Sequence, residues 1–250
     1  MSTSLAKSWQ VLAYLAGAEG PSTVRDVARG TGLPKSTVHR LAAELQQVGA
    51  VETEPDGYRL GLRLFELGGI ALRQRRLEDE ARPHLEALVE RTHLLTQLGV
   101  LLGHDVLYLS RIGRQGHQRV ASPVAGRVPA SCTALGKALL AFNPVALAEV
   151  LRAGLPRRTR NSITDAGVFR SELMRIRSSS IAVEHEEARL GLACVASPVI
   201  VDRRAVAAIS VTGSAGGFDL DTTGPAVRRA AQALSHQLSV GNLRAPLPRS

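Results

Sequence analysis

Residues 21–49 contain two short helical segments with a tight break between them, and this arrangement restricts the fold more than any other feature. Gly30-Thr31-Gly32 interrupts the first segment. Pro34 fits the first turn of the second segment, where its missing N–H costs nothing. Apolar residues then recur at helical spacing and predict a buried stripe of Val38, Leu41, Leu45 and Val48. Two short helices joined by a tight turn are typical of a helix-turn-helix.

The segments on either side complete this unit. Before the two helices, residues 4–17 form an amphipathic helix with a predicted inner face of Leu5, Trp9, Leu12 and Leu15. After them, short strand signals at residues 51–53 and 58–60 flank Glu54-Pro55-Asp56-Gly57, which is a strong turn sequence. Three helices followed by a two-stranded ribbon predict a winged helix-turn-helix.

The beginning of the third helix concentrates short polar and cationic side chains. In a helix-turn-helix this helix enters the major groove of DNA, where lysine and arginine pair with guanine or with phosphate. The predicted contacts near base edges are Lys35, Ser36, Thr37 and Arg40, with His39 as a secondary contact. The predicted phosphate contacts are Ser22, Thr23 and Arg59. Either Ser22 or Thr23 is also expected to cap the second helix. On the residues alone, an ordinary solvated helix remains the alternative.

Composition supports a globular protein with a polyanionic partner. Hydrophobic residues make up 44% of the 250 positions, which suits a packed core. The formal net charge of +9 makes nucleic acid a plausible partner, although the charge is spread along the chain. No apolar run approaches the ~18 residues of a membrane span and no signal peptide is evident, so a cytoplasmic location is expected.

The two cysteines, Cys132 and Cys194, cannot build a disulfide scaffold. They lack the paired Cys/His spacing of structural zinc, and no nucleophile motif surrounds either of them. The sequence therefore predicts no catalytic residue, no metal ligand and no cofactor. Two alternatives stay open: an enzyme fused to a DNA-binding module, and a metal-dependent sensor in which Cys132, Cys194, Glu184 and His185 gather around a metal ion.

From residue 94 the apolar periodicity changes from helical to strand-like. Two predicted hairpins, at residues 96–112 and 194–211, and interleaved helical segments indicate an α+β domain with an antiparallel sheet. A further strand is predicted at residues 119–124. The predicted organisation is a winged helix-turn-helix at 1–61, a linker helix at 62–76, an α/β domain at 77–243 and a tail at 244–250.

Six stretches carry a family resemblance: GLPKSTVHRLAAEL, YRLGLRLFELGGIAL, LPRRTRNSITD, SCTALGKALLAF, LGLACVASPV and AAISVTG. In this order and spacing, the chain resembles the IclR family of bacterial transcription regulators over nearly its whole length. The resemblance implies an N-terminal winged helix and a C-terminal effector-binding domain similar to GAF domains. It also implies homodimers, possibly dimers of dimers.

The resemblance further implies an effector pocket at the beginning of the helix at 133–142. Ala134 and Leu135 would offer backbone N–H groups to an anionic or carbonyl oxygen, in agreement with the partial positive charge of a helix N-terminus. The implied polar pocket residues are Glu184, Cys194, Ser210 and Thr212. The implied apolar wall consists of His117, Val120 and Val128. Ser210 and Thr212 are two apart on one strand and therefore share a face.

Several positions around this pocket depart from the family pattern. Ser180-Ile181 stands where Gly-Tyr is usual, Glu184 replaces the usual Asp, and Ala193 replaces the usual Arg. The ligand therefore cannot be copied from a relative. Lys137 is predicted to lie on a helix surface rather than at the pocket rim. A solvated loop is predicted to carry Arg152, Arg157, Arg158 and Arg160.

These observations predict a sequence-specific DNA-binding transcriptional regulator. A small organic effector in the C-terminal domain is expected to control its affinity for a double-stranded operator. An architectural DNA binder without a ligand is a further alternative, and it would show steep salt dependence with little sequence preference. The residues do not decide between repression and activation.

Overall fold

The computed structural model describes residues 3–75, 77–113 and 127–240. The chain divides into two compact units, with the boundary between Gln74 and Arg75. The first unit contains the predicted helix-turn-helix, and the second contains the predicted sheet.

The first unit is a winged helix-turn-helix, as predicted. Its elements are α1 (Ser4–Gly17), α2 (Val24–Thr31), α3 (Lys35–Gln47), β1 (Val51–Glu54), β2 (Gly57–Leu60) and α4 (Leu62–Arg75). Strands β1 and β2 form an antiparallel hairpin in which Val51 faces Leu60 and Glu54 faces Gly57. Helices α1, α2 and α3 pack against one another around a core that includes Val27 and Leu41.

Local hydrogen bonds explain where α2 begins and ends. The Thr23 hydroxyl accepts the Asp26 N–H at 3.3 Å, and the Asp26 carboxylate accepts the Thr23 N–H at 3.3 Å, which forms a capping box. Thr23 is therefore the cap, and Ser22 is not. At the other end Gly32 has a φ of 72°, a left-handed conformation that glycine adopts without strain.

The backbone of Ser22 instead ties the wing to the helices. Its N–H and carbonyl exchange two 2.9 Å hydrogen bonds with Tyr58 on β2. Gly57 lies so close to this contact that a Cβ atom there would be 2.5 Å from the Ser22 carbonyl carbon. A glycine at position 57 is therefore required for the wing to pack against α2.

Two predictions about apolar faces in this unit were partly wrong. In α3, Val38, Leu41 and Leu45 are buried as predicted, but Val48 is 64% exposed because the helix ends at Gln47. Ala42 is buried in addition.

In α1 half of the predicted inner face is correct, because Leu12 and Leu15 pack in the core. Leu5 and Trp9 are exposed, whereas Val11 and Leu15 are buried. The helix carries two neighbouring apolar stripes, and the core of this unit includes Val11 and Leu15 and contacts Leu12, but not Leu5 or Trp9.

The second unit is an α+β domain built on an antiparallel sheet. Its helices are α5 (Leu77–Thr92), α6 (Ala134–Ala141), α7 (Pro144–Ala153), α8 (Ala166–Ser179) and α9 (Leu220–Val240). Its strands are β3 (Leu95–Leu102), β4 (Asp105–Ile112), β5 (Arg127–Pro129), β6 (Ala182–His185), β7 (Leu192–Val201) and β8 (Arg204–Ser214). The described strands are ordered β5-β4-β3-β8-β7-β6, and each neighbouring pair is antiparallel.

Both predicted hairpins of this domain are present, as β3–β4 and β7–β8. The predicted strand at 119–124 and the predicted tail at 244–250 lie outside the described residues.

Both faces of the sheet are buried. On one face Ala196 and Ala208 belong to a core with helices α6, α7 and α8. Val195 and Ile209 are also fully buried but alternate with those alanines, so they point to the other face. Helices α5 and α9 pack against each other and against the sheet there.

Candidate functional site

The first turn of α3 presents its predicted DNA contacts to solvent. Lys35, Ser36, His39 and Arg40 are exposed, and Thr37 is partly exposed. Pro34 precedes the helix and provides no side-chain cap, so the first N–H groups of α3 are open to an anionic partner. The helix therefore combines cationic side chains with a favourable backbone dipole at one end.

Arg40 forms an ion pair with Glu44 one turn later on the same helix. Both side chains are at least half exposed, and exposed pairs at this spacing contribute little to stability. Arg40 can therefore exchange Glu44 for a DNA group at small cost.

The predicted phosphate contacts differ in how accessible they are. Ser22 is buried against the wing, so its side chain is less accessible to a phosphate than was expected from the sequence. Thr23 is exposed, but its hydroxyl lies 2.6 Å from the Asp26 carboxylate. Arg59 is half exposed and contacts Glu52 at 3.0 Å and Glu54 at 2.6 Å. The wing therefore offers a cation that is already paired with two carboxylates.

The second unit contains a cavity of about 90 Å³ between the sheet and the beginning of α6. Its lining includes seven residues that the family resemblance implied: Val128, Ala134, Leu135, Glu184, Cys194, Ser210 and Thr212. It also includes Gln97, Tyr108, Arg127, Thr133, Arg158, Ala188, Arg189 and Leu192. The remaining implied residues, His117 and Val120, lie outside the described residues.

The strand register explains why the polar lining residues meet. Cys194 on β7 pairs with Glu184 on β6 and with Thr212 on β8. Ser210 on β8 pairs with Gln97 on β3. Directly paired residues point to the same face, so these five side chains form one polar patch. We call Gln97, Glu184, Cys194, Ser210 and Thr212 the sheet wall of the cavity.

Gln97 is the centre of the hydrogen bonds in the sheet wall. Its Oε1 accepts from Ser210 Oγ at 3.1 Å and from Thr212 Oγ1 at 2.9 Å. Thr212 Oγ1 also lies 3.0 Å from Cys194 Sγ. Gln97 is only 2% exposed, and it was not among the residues predicted from the sequence. The available signal was one amide in the middle of an otherwise apolar strand, LTQLGVLL.

Glu184 is a buried carboxyl group held by backbone donors. Its Oε1 accepts the N–H groups of Glu187 and Ala188, the latter at 3.1 Å. Burial raises the pKa of Glu184, and the hydrogen bonds from Ala188, Cys194 and Glu187 oppose this increase. These bonds also hold the segment that follows β6 against the cavity.

The first turn of α6 supplies hydrogen-bond donors. The Thr133 hydroxyl accepts the Gly136 N–H at 3.0 Å, which leaves the Ala134 and Leu135 N–H groups without an intrahelical acceptor. Gly136 allows this helix to approach the preceding turn, since a Cβ atom there would lie 2.1 Å from the Ala130 carbonyl oxygen.

Three exposed arginines also line the cavity: Arg127, Arg158 and Arg189. We call them the cationic rim. Arg158 is exposed, as expected of the solvated loop, and it also lines the cavity, whereas Arg152 lies in the last turn of α7 rather than in the loop. The N-terminus of α6 and the cationic rim together favour a ligand with a negatively charged group.

Lys137 is buried rather than on the helix surface, which corrects the prediction from sequence. It is 1% exposed, forms an ion pair with Glu187 and donates to the Val183 carbonyl at 3.2 Å. Every residue of α6 is buried, so this helix has no solvated face on which a lysine could lie. Burial raises the pKa of Glu187, whereas the Lys137 ammonium group lowers it.

Among the described residues, the groups considered for catalysis or metal binding are Cys132, Cys194, Glu184 and His185. Burial raises the pKa of both Cys132 and Cys194, which disfavours the reactive thiolate. His185 is exposed, whereas its neighbour Glu184 is buried at the cavity. No group of three metal-ligating side chains occurs among the described residues. None of the described helices combines the length and apolar character needed to cross a bilayer.

Comparison with known proteins identifies both units. Residues 4–55 match the family described as the IclR helix-turn-helix domain. Residues 70–239 match the family described as bacterial transcriptional regulator IclR, C-terminal.

Individual relatives agree with these matches. The chain is 34% identical to the probable transcriptional regulator SauR of Cupriavidus necator over 82% of this chain and 83% of that protein. It is 34% identical to the glycerol operon regulatory protein of Streptomyces griseus over 95% of this chain and 97% of that protein. Among solved structures, an IclR homolog from Microbacterium hydrocarbonoxydans in complex with 4-hydroxybenzoate has a TM-score of 0.82 and 31% identity, covering 95% of this chain and all of that one.

Proposed function

Because the chain belongs to the IclR family of bacterial transcriptional regulators, we propose that α3 binds a specific operator and that a small organic acid in the cavity controls this binding. The observation that carries the proposal is the cavity itself. It combines helix N–H groups that lack an intrahelical acceptor, three arginines and a polar sheet wall in a domain matched as the family's C-terminal region.

In the proposed complex, α3 lies in the major groove. Lys35, Ser36, Thr37 and Arg40 contact base edges, and His39 contributes a secondary contact. Their exposure and the uncapped N-terminus of α3 support this assignment. Thr23 and Arg59 contact phosphates, which position the protein without reading sequence.

The DNA assignment is tested with an operator selected from a random library by the full-length protein. Fluorescence anisotropy then compares this operator with scrambled DNA. A preference of about 10³-fold or more for the selected sequence supports specific recognition. Equal affinity for both DNAs, with a steep salt dependence, contradicts it.

The proposed effector is a small carboxylic acid. Its carboxylate accepts hydrogen bonds from the Ala134 and Leu135 N–H groups, and the cationic rim adds favourable charge. The structural neighbour with bound 4-hydroxybenzoate supports this class of ligand. A thermal-shift screen of carboxylic acids tests it, since a ligand that binds the folded state raises the Tm. Failure of every acid to raise the Tm would contradict the proposal.

We also propose that the protein acts as a homodimer on a pseudo-palindromic operator. The first unit exposes Leu5 and Trp9 on α1 and Leu62 and Phe65 on α4, and large apolar side chains at such a density are typical of an interface. Analytical ultracentrifugation is expected to show a dimer. The double substitution Trp9→Asp with Phe65→Asp is expected to weaken the dimer. Val145→Asp, at an exposed position of α7, is not expected to weaken it.

The proposed organisation retains a DNA-binding domain at 1–61, a linker helix at 62–76 and an effector domain at 77–243. An effector changes DNA affinity only if it binds one arrangement of the dimer more tightly than another. Helix α4 connects the two domains and is the proposed route of this coupling.

A further inference from the structure

We propose that Gln97 determines which acids the cavity accepts, because it orients the sheet wall to favour a ligand whose far end carries a hydrogen-bond donor. This inference rests on the proposed function, since it concerns the same cavity. It assigns a role to a residue that neither the motifs nor the family resemblance indicated.

The amide oxygen of Gln97 has no lone pair left for a ligand. An amide oxygen has two lone pairs. In Gln97 both are used, because Ser210 Oγ and Thr212 Oγ1 each donate to Oε1. The single hydrogen of each hydroxyl is therefore directed at Gln97, and neither hydroxyl can donate to a ligand without losing that bond.

The hydroxyl and carboxyl groups of the sheet wall therefore offer hydrogen-bond acceptors to a ligand. Ser210 and Thr212 present oxygen lone pairs to the cavity, and the Glu184 carboxyl group adds a further acceptor. The Cys194 thiol donates its single hydrogen to Glu184, so its 3.0 Å contact with Thr212 Oγ1 offers no further donor to a ligand. The hydroxyl and carboxyl groups of the sheet wall are thus poised to accept hydrogen bonds from a ligand.

The opposite polarity occurs elsewhere in the cavity. The N–H groups of Ala134 and Leu135 and the cationic rim are donors. A ligand that satisfies both parts needs an anionic group at one end and a hydroxyl or amino group at the other. An acid without that second group would leave the buried acceptors of the sheet wall unpaired, which costs affinity.

Gln97 could instead serve only to satisfy two buried hydroxyls. However, the buried hydroxyls of Thr96 and Ser197 in the same sheet have no hydrogen-bond partner among the described residues. Buried hydroxyls in this sheet therefore do not require a side chain such as Gln97 to pair with them. The fold therefore tolerates unsatisfied hydroxyls on its strands. A purely structural Gln97 would affect stability but would not change the preference between two acids.

Isothermal titration calorimetry with the full-length protein tests the inference through matched pairs of acids. 4-Hydroxybenzoate is compared with 4-fluorobenzoate, and 4-hydroxybutyrate with pentanoate. In each pair the members have similar size, and only the first has a donor at the far end. We expect the donor-bearing acid of at least one pair to bind about tenfold more tightly or better than its partner.

Two variants distinguish a role of Gln97 in orienting the Ser210 and Thr212 hydroxyls from a general effect on stability. Gln97→Met removes the acceptor and is expected to reduce the preference within the pair to about twofold or less. Gln97→Glu keeps an oxygen acceptor for both hydroxyls and is expected to retain the preference, even if both acids bind more weakly. The ratio within a pair cancels any change common to both acids.

The outcomes are distinguishable. The proposed role of Gln97 is overturned if the unmodified protein binds the two acids of each pair equally. It is also overturned if a folded Gln97→Met variant keeps the preference. Neither result contradicts the proposal that the cavity binds the effector. If the methionine variant does not fold, loss of the preference in Gln97→Glu overturns it as well. If none of the four acids binds at 10 mM, on the order of the weakest affinities of interest, the proposed class of effector fails together with this inference.

Discussion

Replacing Lys137 with methionine removes one partner of a buried ion pair while preserving the length and helix propensity of the side chain. Lys137 is almost fully enclosed in α6, and its ammonium group contacts Glu187 and the Val183 carbonyl. In the variant, Glu187 would keep its burial and lose its cation. Its Oε2 atom already has no hydrogen-bond partner among the described residues.

The expected loss is large because a buried charge without its partner is costly. Breaking such a pair typically lowers the free energy of unfolding by about 3–5 kcal/mol. The total free energy of unfolding of a domain of this kind is about 5–15 kcal/mol, so the variant should lose a substantial fraction of its stability. A double variant, Lys137→Met with Glu187→Leu, removes both charges and is expected to recover all but about 1–2 kcal/mol.

Urea-induced unfolding measures both effects and separates the two units. The single tryptophan, Trp9, lies in α1, so its fluorescence reports the first unit, whereas far-UV circular dichroism reports both units. We expect the Lys137→Met variant to shift the circular dichroism transition and leave the tryptophan transition unchanged. Arg175→Met serves as the control, because Arg175 is 75% exposed and its ion pair with the partly buried Glu172 should contribute less than about 1 kcal/mol.

Two results would refute this reasoning. A Lys137→Met variant within 1 kcal/mol of the unmodified protein, on the scale of an exposed pair, would show that the ion pair is not desolvated. A double variant less stable than the single one would show that hydrophobic replacement does not relieve an unpaired Glu187.

Three further predictions concern DNA, ligand and pH. Lys35→Ala or Arg40→Ala should weaken operator binding by about 1–3 kcal/mol for each lost base contact, as measured by anisotropy. The binding of scrambled DNA should weaken less. Ser210→Ala should reduce the effect of a bound acid on operator affinity while leaving the affinity without ligand nearly unchanged. For Glu184, burial raises the pKa in the folded state, so the folded protein binds this proton at higher pH than the unfolded chain does. Its contribution to stability therefore grows as the pH falls from that raised pKa towards the ordinary value of 4.5, and unfolding measured against Glu184→Gln across this range should show it.

Each of these three predictions has a control or an outcome that would contradict it. Glu44→Ala frees Arg40 from its ion pair and should not weaken operator binding, whereas an equal loss on all DNA by Arg40→Ala would reduce its role to phosphate contact. Ser197→Ala removes a buried hydroxyl without a described partner and should leave the ligand response intact. A stability difference between Glu184→Gln and the unmodified protein that does not vary with pH would contradict the assigned shift.

Short-range patterns were sufficient to predict the winged helix-turn-helix. The break at Gly30-Thr31-Gly32, Pro34 and the turn before Gly57 are local signals, because they restrict the backbone where they occur. The buried face of α1 could not be predicted from the local sequence alone. Its sequence allows two apolar stripes, and only the packing of α2 and α3 shows that Val11 is buried beside Leu15 while Leu5 and Trp9 are exposed.

The cavity shows the same distinction. Family motifs brought Ala134, Leu135, Glu184 and Cys194 into one site, and the structure places all four around one cavity. Gln97 was missed because its partners lie more than a hundred positions away and are brought to it only by the pairing of β3 with β8.

Lys137 was assigned to a surface because lysine is rarely buried without a partner. Its partner, Glu187, follows it by fifty positions. Only the packing of α6 against the segment after β6 brings the two charges together.

The most direct test of the central claim is the operator affinity of the full-length protein with and without a saturating acid that binds the cavity. The account predicts a change in Kd of about 5- to 150-fold, the usual range of coupling between two sites, and its loss in Ser210→Ala. An identical Kd with the acid shown to be bound would contradict the claim that the cavity controls the helix at Lys35.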